Sequence, residues 1–284
     1  MKQSFLTRWV ALRSTHPTFT PLRRRGETHQ TRQLARHLSG AHPNGFTLIE
    51  MAVVLLIVAL LLGGLLPTLS SRIEQQRMAE VRKQLDEIEQ ALIGHALSYG
   101  RLPCPANSSS NGAESFASGS SSVDGLCSNF FDGYVPAATL GLVTADGYVV
   151  DPWGKRIRYA VTSWNNTYTK ANGMSSAGVA NLAPSIAAYL QVCATATGVT
   201  ATNCASGSAL TTYPGVPLLI YSTGKNGAYA GTGTDEAANS NSDQVFVSHT
   251  PTSAAATNGE FDDIVVWLSP NILLNRMVAA GRLP

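Results

Sequence analysis

The sequence predicts an α+β protein: a long N-terminal helix whose second half packs on an antiparallel β-sheet. Three observations predict it. An unbroken apolar run from Phe46 to Leu66 holds a single charged residue, Glu50. Beyond it an apolar stripe at helical spacing continues to Tyr99. After Gly100 the pattern changes to short alternating segments set between turn-forming residues, with no strand–helix–strand alternation.

Residues 1–45 form a basic leader. They carry eight Lys or Arg and one acid, Glu27, a net +7, whereas the rest of the chain carries 12 basic and 17 acidic residues, a net −5. A basic segment directly before an apolar span is the positive-inside pattern, which places the leader in the cytoplasm and the C-terminal part across the membrane. The leader's basic run at Arg23-Arg24-Arg25 has no aromatic interleaving, so no nucleic-acid partner is expected. An ordinary secretory signal has a shorter apolar core followed by an Ala-x-Ala-like site, and Pro67-Thr68-Leu69 is a poor one.

The 21 residues of Phe46–Leu66 would span roughly 31 Å as a helix, enough for a bilayer core. A charge inside such a segment costs about 2.5–3.5 kcal/mol on insertion scales. Glu50 therefore either snorkels to the headgroups from the first turn or meets a cation from a neighbouring chain. From 67 to 99 the helix becomes amphipathic. Met78, Val81, Leu85, Ile88, Leu92 and Tyr99 form its apolar stripe, and charged residues from Arg72 to Glu89 occupy the other faces. Gly63, Gly64 and Pro67 predict a kink or local melt, and Gly100 a stop.

Residues 100–284 read as one β-rich globular domain. Ser, Asn and Gly dominate 101–135, which predicts a surface loop without regular structure. Arg156–Val161 alternates polar and apolar as a half-buried strand should. Further strands are predicted at 186–192, 218–222, 244–248 and 264–268, with a C-terminal helix capped by Ser269 and started by Pro270. Four cysteines, Cys104, Cys127, Cys193 and Cys204, in an exported domain imply two disulfides. Three connectivities are open, and sequence proximity favours Cys104–Cys127 and Cys193–Cys204. A zinc site would need a C-x₂₋₄-C pair, and none occurs. No nucleophile elbow, HExxH or phosphate-binding glycine loop is present, so no enzyme is expected.

The stretch Gly45-Phe46-Thr47-Leu48-Ile49-Glu50, set before the apolar segment, resembles the processing signal of type IV pilins and type II secretion pseudopilins. The resemblance covers Phe46 to about Tyr99 and implies a pilin-like fold. It implies a cut between Gly45 and Phe46 by a prepilin peptidase, methylation of the new amine, and assembly through Glu50. Pro67 falls where the family carries a helix-bending proline. Implied partners are other pilin or pseudopilin subunits, an inner-membrane assembly platform and the lipid bilayer. The implied location is the inner membrane, single-pass, with the C-terminal domain periplasmic, and then a filament.

Two stretches extend the resemblance. Asp151-Pro152-Trp153-Gly154 is similar to a motif of major pseudopilins. Ser222–Gly227 together with Phe261–Trp267 is similar to their calcium loop and the strand after it. Carried over, calcium would be held by Asn226, where the family usually has Asp, and by Asp262 and Asp263. Asp235, Glu236 and Asp243 lie in an insertion without a family counterpart. Asn-Gly and an Asp pair also suit plain turns. The functional expectation is a filament subunit, a type II secretion pseudopilin. Its rival is a minor type IV pilin with a tip, adhesion or DNA-uptake role.

Overall fold

The computed structural model describes residues 45–142, 144, 146–182, 189–212, 215–227 and 233–283. Expectations for 1–44 lie outside the described residues, as do the side chains of 63–69, including Pro67. Helix α1 spans Leu48–Tyr99, 52 residues. The chain divides into two compact units, 1–59 and 60–284. In the first, the apolar side chains from Phe46 onward are exposed. Among the described residues no helix is long and apolar enough to cross a membrane. The last apolar positions of the run, Leu65 and Leu66, are among the side chains not described.

α1 is helical without a break through Gly63, Gly64 and Pro67, so the expected local melt is absent. Helix propagating from both sides outweighs about 1 kcal/mol for a glycine and about 3 for a proline. In the second unit the stripe behaves as its spacing predicts: Val81, Leu85, Ile88 and Leu92 are buried. Tyr99 departs from it at 63 % exposure, because Ala96 and the buried His95 take the inward positions of the last turn. Tyr99 stacks on His95 instead, ring centroids 4.5 Å apart. Gly100, in the left-handed conformation, ends the helix with its N–H on the carbonyl of Ala96.

The remaining elements, in chain order, are β1 (Gly133–Tyr134), α2 (Ala137–Leu140), β2 (Arg158–Val161), α3 (Gly173–Leu182) and β3 (Gln191–Cys193). After them come β4 (Leu218–Ser222), α4 (Thr234–Ala238), β5 (Val245–Val247), β6 (Ile264–Leu268) and α5 (Pro270–Ala279). The main sheet has the order β1-β2-β4-β6, and every pair in it is antiparallel. Its register sorts the side chains onto two faces. Tyr159, Val161, Leu218, Ile220 and Leu268 join the α1 stripe in the principal core. Ala160, Leu219 and Tyr221 point the other way, into a second core with Leu190, Val192 and Phe246.

That second core corrects the single-sheet expectation. β3 and β5 leave the antiparallel sheet and pair with each other in parallel, Val192 opposite Phe246. The reason lies in burial: β4 and β5 are buried at every position, and a strand buried on both sides needs a layer over each. The predicted strand at 186–192 begins in residues outside the description, and the described part is Gln191–Cys193.

The polar segment 101–135 is also more structured than its composition suggests. The disulfide Cys104–Cys127 closes it and Cys193–Cys204 closes a second loop, the pairing that proximity favoured. Arg101, 7 % exposed, sits in a two-pronged pair with Glu114, at 2.7 and 2.6 Å, and Glu114 also accepts the backbone N–H of Cys104. A Ser/Asn/Gly-rich stretch gains order here from a covalent link and a buried ion pair, neither of which hydropathy registers. At the other end, α5 starts at Pro270, but the side chain of Ser269 makes no capping bond. Its backbone carbonyl instead accepts the N–H of Ile272 and of Leu273.

Candidate functional site

Two places carry the chemistry that the sequence singled out. The first is where the loop after β4 meets the start of β6. β4 ends at Ser222, whose hydroxyl donates to the Asp151 carboxylate at 2.6 Å, so the Asp-Pro-Trp-Gly turn and this loop are tied together. Asp262 then organises the loop: its Oδ2 accepts the N–H groups of Lys225 and Asn226 at 2.9 and 3.1 Å. Its Oδ1 is buried and has no hydrogen-bond partner among the described residues; it lies under Gly224, where an added Cβ would come within 2.1 Å of that oxygen.

Next to Asp262 stand Asp263 and Glu236, so that three carboxylates each offer an oxygen within 4.8 Å of the others. Glu236 and Asp263 are buried. Asn226 enters differently from its expected role as a ligand: its side-chain amide donates to both oxygens of Glu236, at 2.9 and 3.1 Å. The third carboxylate thus comes from Glu236 in α4. Its sequence signal was an acidic pair, Asp235-Glu236, in the first turn of a helix only five residues long. Asp235 is engaged elsewhere, by His249 at 3.1 Å and Asn258 at 3.0 Å, and Asp243 caps its own turn at Val245.

Close burial of like charges shows in the acidities. Burial pushes Asp263 up to about 7, with Glu236 and Asp262 adding to the rise and Asn239 and Arg158 opposing it. Asp262 is raised to about 6, first by burial and then by Glu236, against the N–H bonds it accepts. A hard divalent cation suits this donor set: buried carboxylate oxygens with the remaining coordination from carbonyls or water. Glu236, Asp262 and Asp263 are the residues that would hold it.

The sign of the pH dependence follows. Without a cation, the folded state keeps protons on Asp262 and Asp263 that the unfolded chain has lost above its ordinary carboxylate range. Stability is then highest at acid pH and falls as pH rises from about 4 to about 7. We expect the urea midpoint in chelator to drop across that window. Calcium at neutral pH should raise the melting temperature, and Glu236→Gln should remove most of that rise. An unchanged calcium response in Glu236→Gln would exclude this cluster as the site.

The second place is the start of α1. Gly45, Phe46 and Thr47 are exposed and precede the helix. Thr47 and Glu50 form a reciprocal cap: the Thr47 N–H and hydroxyl both donate to Glu50 Oε2 at 3.2 Å, and the Glu50 N–H donates to Thr47 Oγ1 at 3.2 Å. This is a capping box, and the spacing Thr-x-x-Glu was its signal. Glu50 therefore fixes the first turn of the helix while its carboxylate stays exposed.

A family model for the prokaryotic N-terminal methylation motif matches residues 41–66. The chain carries a pilin-type processing signal. That motif marks a type IV pilin-like protein, with processing by a prepilin peptidase and assembly with other pilin subunits. It is a structural motif and not that of an enzyme family. No curated protein and no solved structure gives a significant match. The matched segment ends in the apolar run, and the acidic cluster lies outside it in sequence.

Proposed function

We propose that the chain is a structural subunit of a pilin-like filament, a pseudopilin of a type II secretion system, cut between Gly45 and Phe46. The observation that carries this reading is the match over 41–66 on a chain whose α1 begins at the motif and ends as the central helix of a sheet domain. Phe46–Leu66 serves as the membrane anchor before assembly and as packing surface afterwards. Glu50 pairs with the Phe46 amine of a neighbouring subunit, which removes two charges from an apolar surrounding at once. Pro67 sits where the anchor passes into the amphipathic half. The Asp151–Ser222 tie and the carboxylates at 236, 262 and 263 support a pseudopilin-type domain stiffened by calcium.

A second reading, a minor type IV pilin with a tip, adhesion or DNA-uptake role, is favoured by one feature: the added β3–β5 layer. The processing step is tested by the intact mass of the membrane-extracted protein from its native host. A chain starting at methylated Phe46, with two disulfides lost on reduction, is the expected result. A chain retaining the leader would overturn the filament reading.

A further inference from the structure

The alternation of β2 and the residues before it leaves an unusual pair of cations on one side of the sheet. Ile157 and Tyr159 point into the principal core, so Arg156 and Arg158 share the opposite face. Arg158 is buried against Asp132, in an ion pair that Ser242 supports through Asp132 Oδ2 at 3.1 Å. Arg156 has no carboxylate. Its guanidinium lies over the ring of Tyr148, 3.8 Å from the centroid, and 5.4 Å from that of Tyr134. The two tyrosines are themselves locked edge to face at 5.6 Å, and Tyr148 is anchored by its hydroxyl on the carbonyl of Asn107. Among the described residues nothing accepts a hydrogen bond from Arg156.

Lys155 adds a second unmatched cation. Its side chain lies against Gly227, where a Cβ would meet Lys155 Cε at 2.3 Å. The Asp151 carboxylate beneath is taken up by the N–H groups of Trp153 and Lys155 and by Ser222. Lys155, Arg156 and Arg158 line a cavity of about 190 Å³ together with Thr223 and Ser240, and among the described residues no carboxylate lines it.

We propose that this cavity binds a phosphate group, as inorganic phosphate or as a phosphate monoester. A guanidinium whose plane is held by aromatic rings presents its N–H edge ready-made for two oxygens of one anion. Two cations without a carboxylate partner match a dianion better than a single carboxylate. The threonine and serine are the hydroxyl donors that such a group uses. The site rests on this geometry alone and holds whether or not the chain forms filaments.

The test is calorimetric titration of the full chain in non-ionic detergent with inorganic phosphate, then with glycerol phosphate and with acetate, at constant ionic strength. Phosphate should bind, Arg156→Gln and Lys155→Ala should each weaken it at least tenfold, and the exposed control Lys83→Gln should not. Melting temperatures of the variants without phosphate verify that they fold. Tighter binding of glycerol phosphate than of inorganic phosphate would identify an ester as the source, and the reverse would identify free phosphate. No phosphate binding, equal binding by Arg156→Gln and Lys155→Ala, or acetate binding as tightly as phosphate would each overturn the assignment.

Discussion

Glu50→Ala should leave the protein in the membrane fraction and abolish filaments. Removing one partner of a desolvated ion pair costs about 3–5 kcal/mol, because the other charge stays buried and unpaired. In the proposed assembly the stranded charge would be the Phe46 amine of the neighbouring subunit, and the loss would correspond to roughly a hundred- to several-thousandfold weaker association. The capping box adds a complication that a second variant resolves. Glu50 also holds Thr47 at the start of α1, and a lost cap costs only about 0.5–2 kcal/mol. Glu50→Gln keeps an acceptor for Thr47 and drops the charge, so it should fail to assemble like the alanine variant. Filaments from Glu50→Gln, scored by shearing and electron microscopy, would show that the cap and not the charge is needed.

Glu114→Ala should strongly destabilise the globular domain. Arg101 would be left with side-chain exposure of only 9 % and no carboxylate, and the Cys104 N–H would lose its acceptor. The expected cost is about 3–5 kcal/mol. For a domain of this size that lowers the melting temperature by about 6–20 °C. Opening the nearby Cys104–Cys127 disulfide, whose sequence separation is 23, should cost about 2–4 kcal/mol. A calorimetric comparison orders the two. A Glu114→Ala melting temperature within a degree or two of wild type would mean that water reaches Arg101.

What could be read from residues alone divides along physical lines. Periodic burial was legible in the stripe Val81–Leu85–Ile88–Leu92; the alternation through Ile157 and Tyr159 named the face on the principal core, but β2 is buried on both faces and not half-buried as expected. Short turn-bounded apolar runs at 218–222 and 264–268 were legible as strands, because little else buries such runs. Pairing partners were not. A strand apolar on both faces says that it is covered twice, and nothing about what covers it, which is why the parallel β3–β5 layer was not foreseen. The acidic cluster was half legible. Asp262 and Asp263 are adjacent in sequence, but Glu236 arrives through α4, too short to announce itself by period. Thr47 differs: the spacing Thr-x-x-Glu is a plain capping signal, but a glutamate at the edge of an apolar run also suits pairing with a cation, and spacing alone does not separate the two roles.

The far end of α1 has a consequence for how the protein is made. The last carbonyls of the helix, on Leu97 and Ser98, are capped by the Arg282 guanidinium, at 2.5 Å for Nε on Leu97, across 185 positions of sequence. Leu283 beside it is buried in the same core. A ribosome delivers that arginine only after every strand of both sheets has emerged. Until then the final turn of α1 has to find water for its carbonyls, and its inner face lacks part of its cover. A chain truncated before Arg282 would show a frayed helix end to proteases, whereas one that carries it would hide that end. Closure of this contact makes the last turn of α1 depend on a residue 185 positions away.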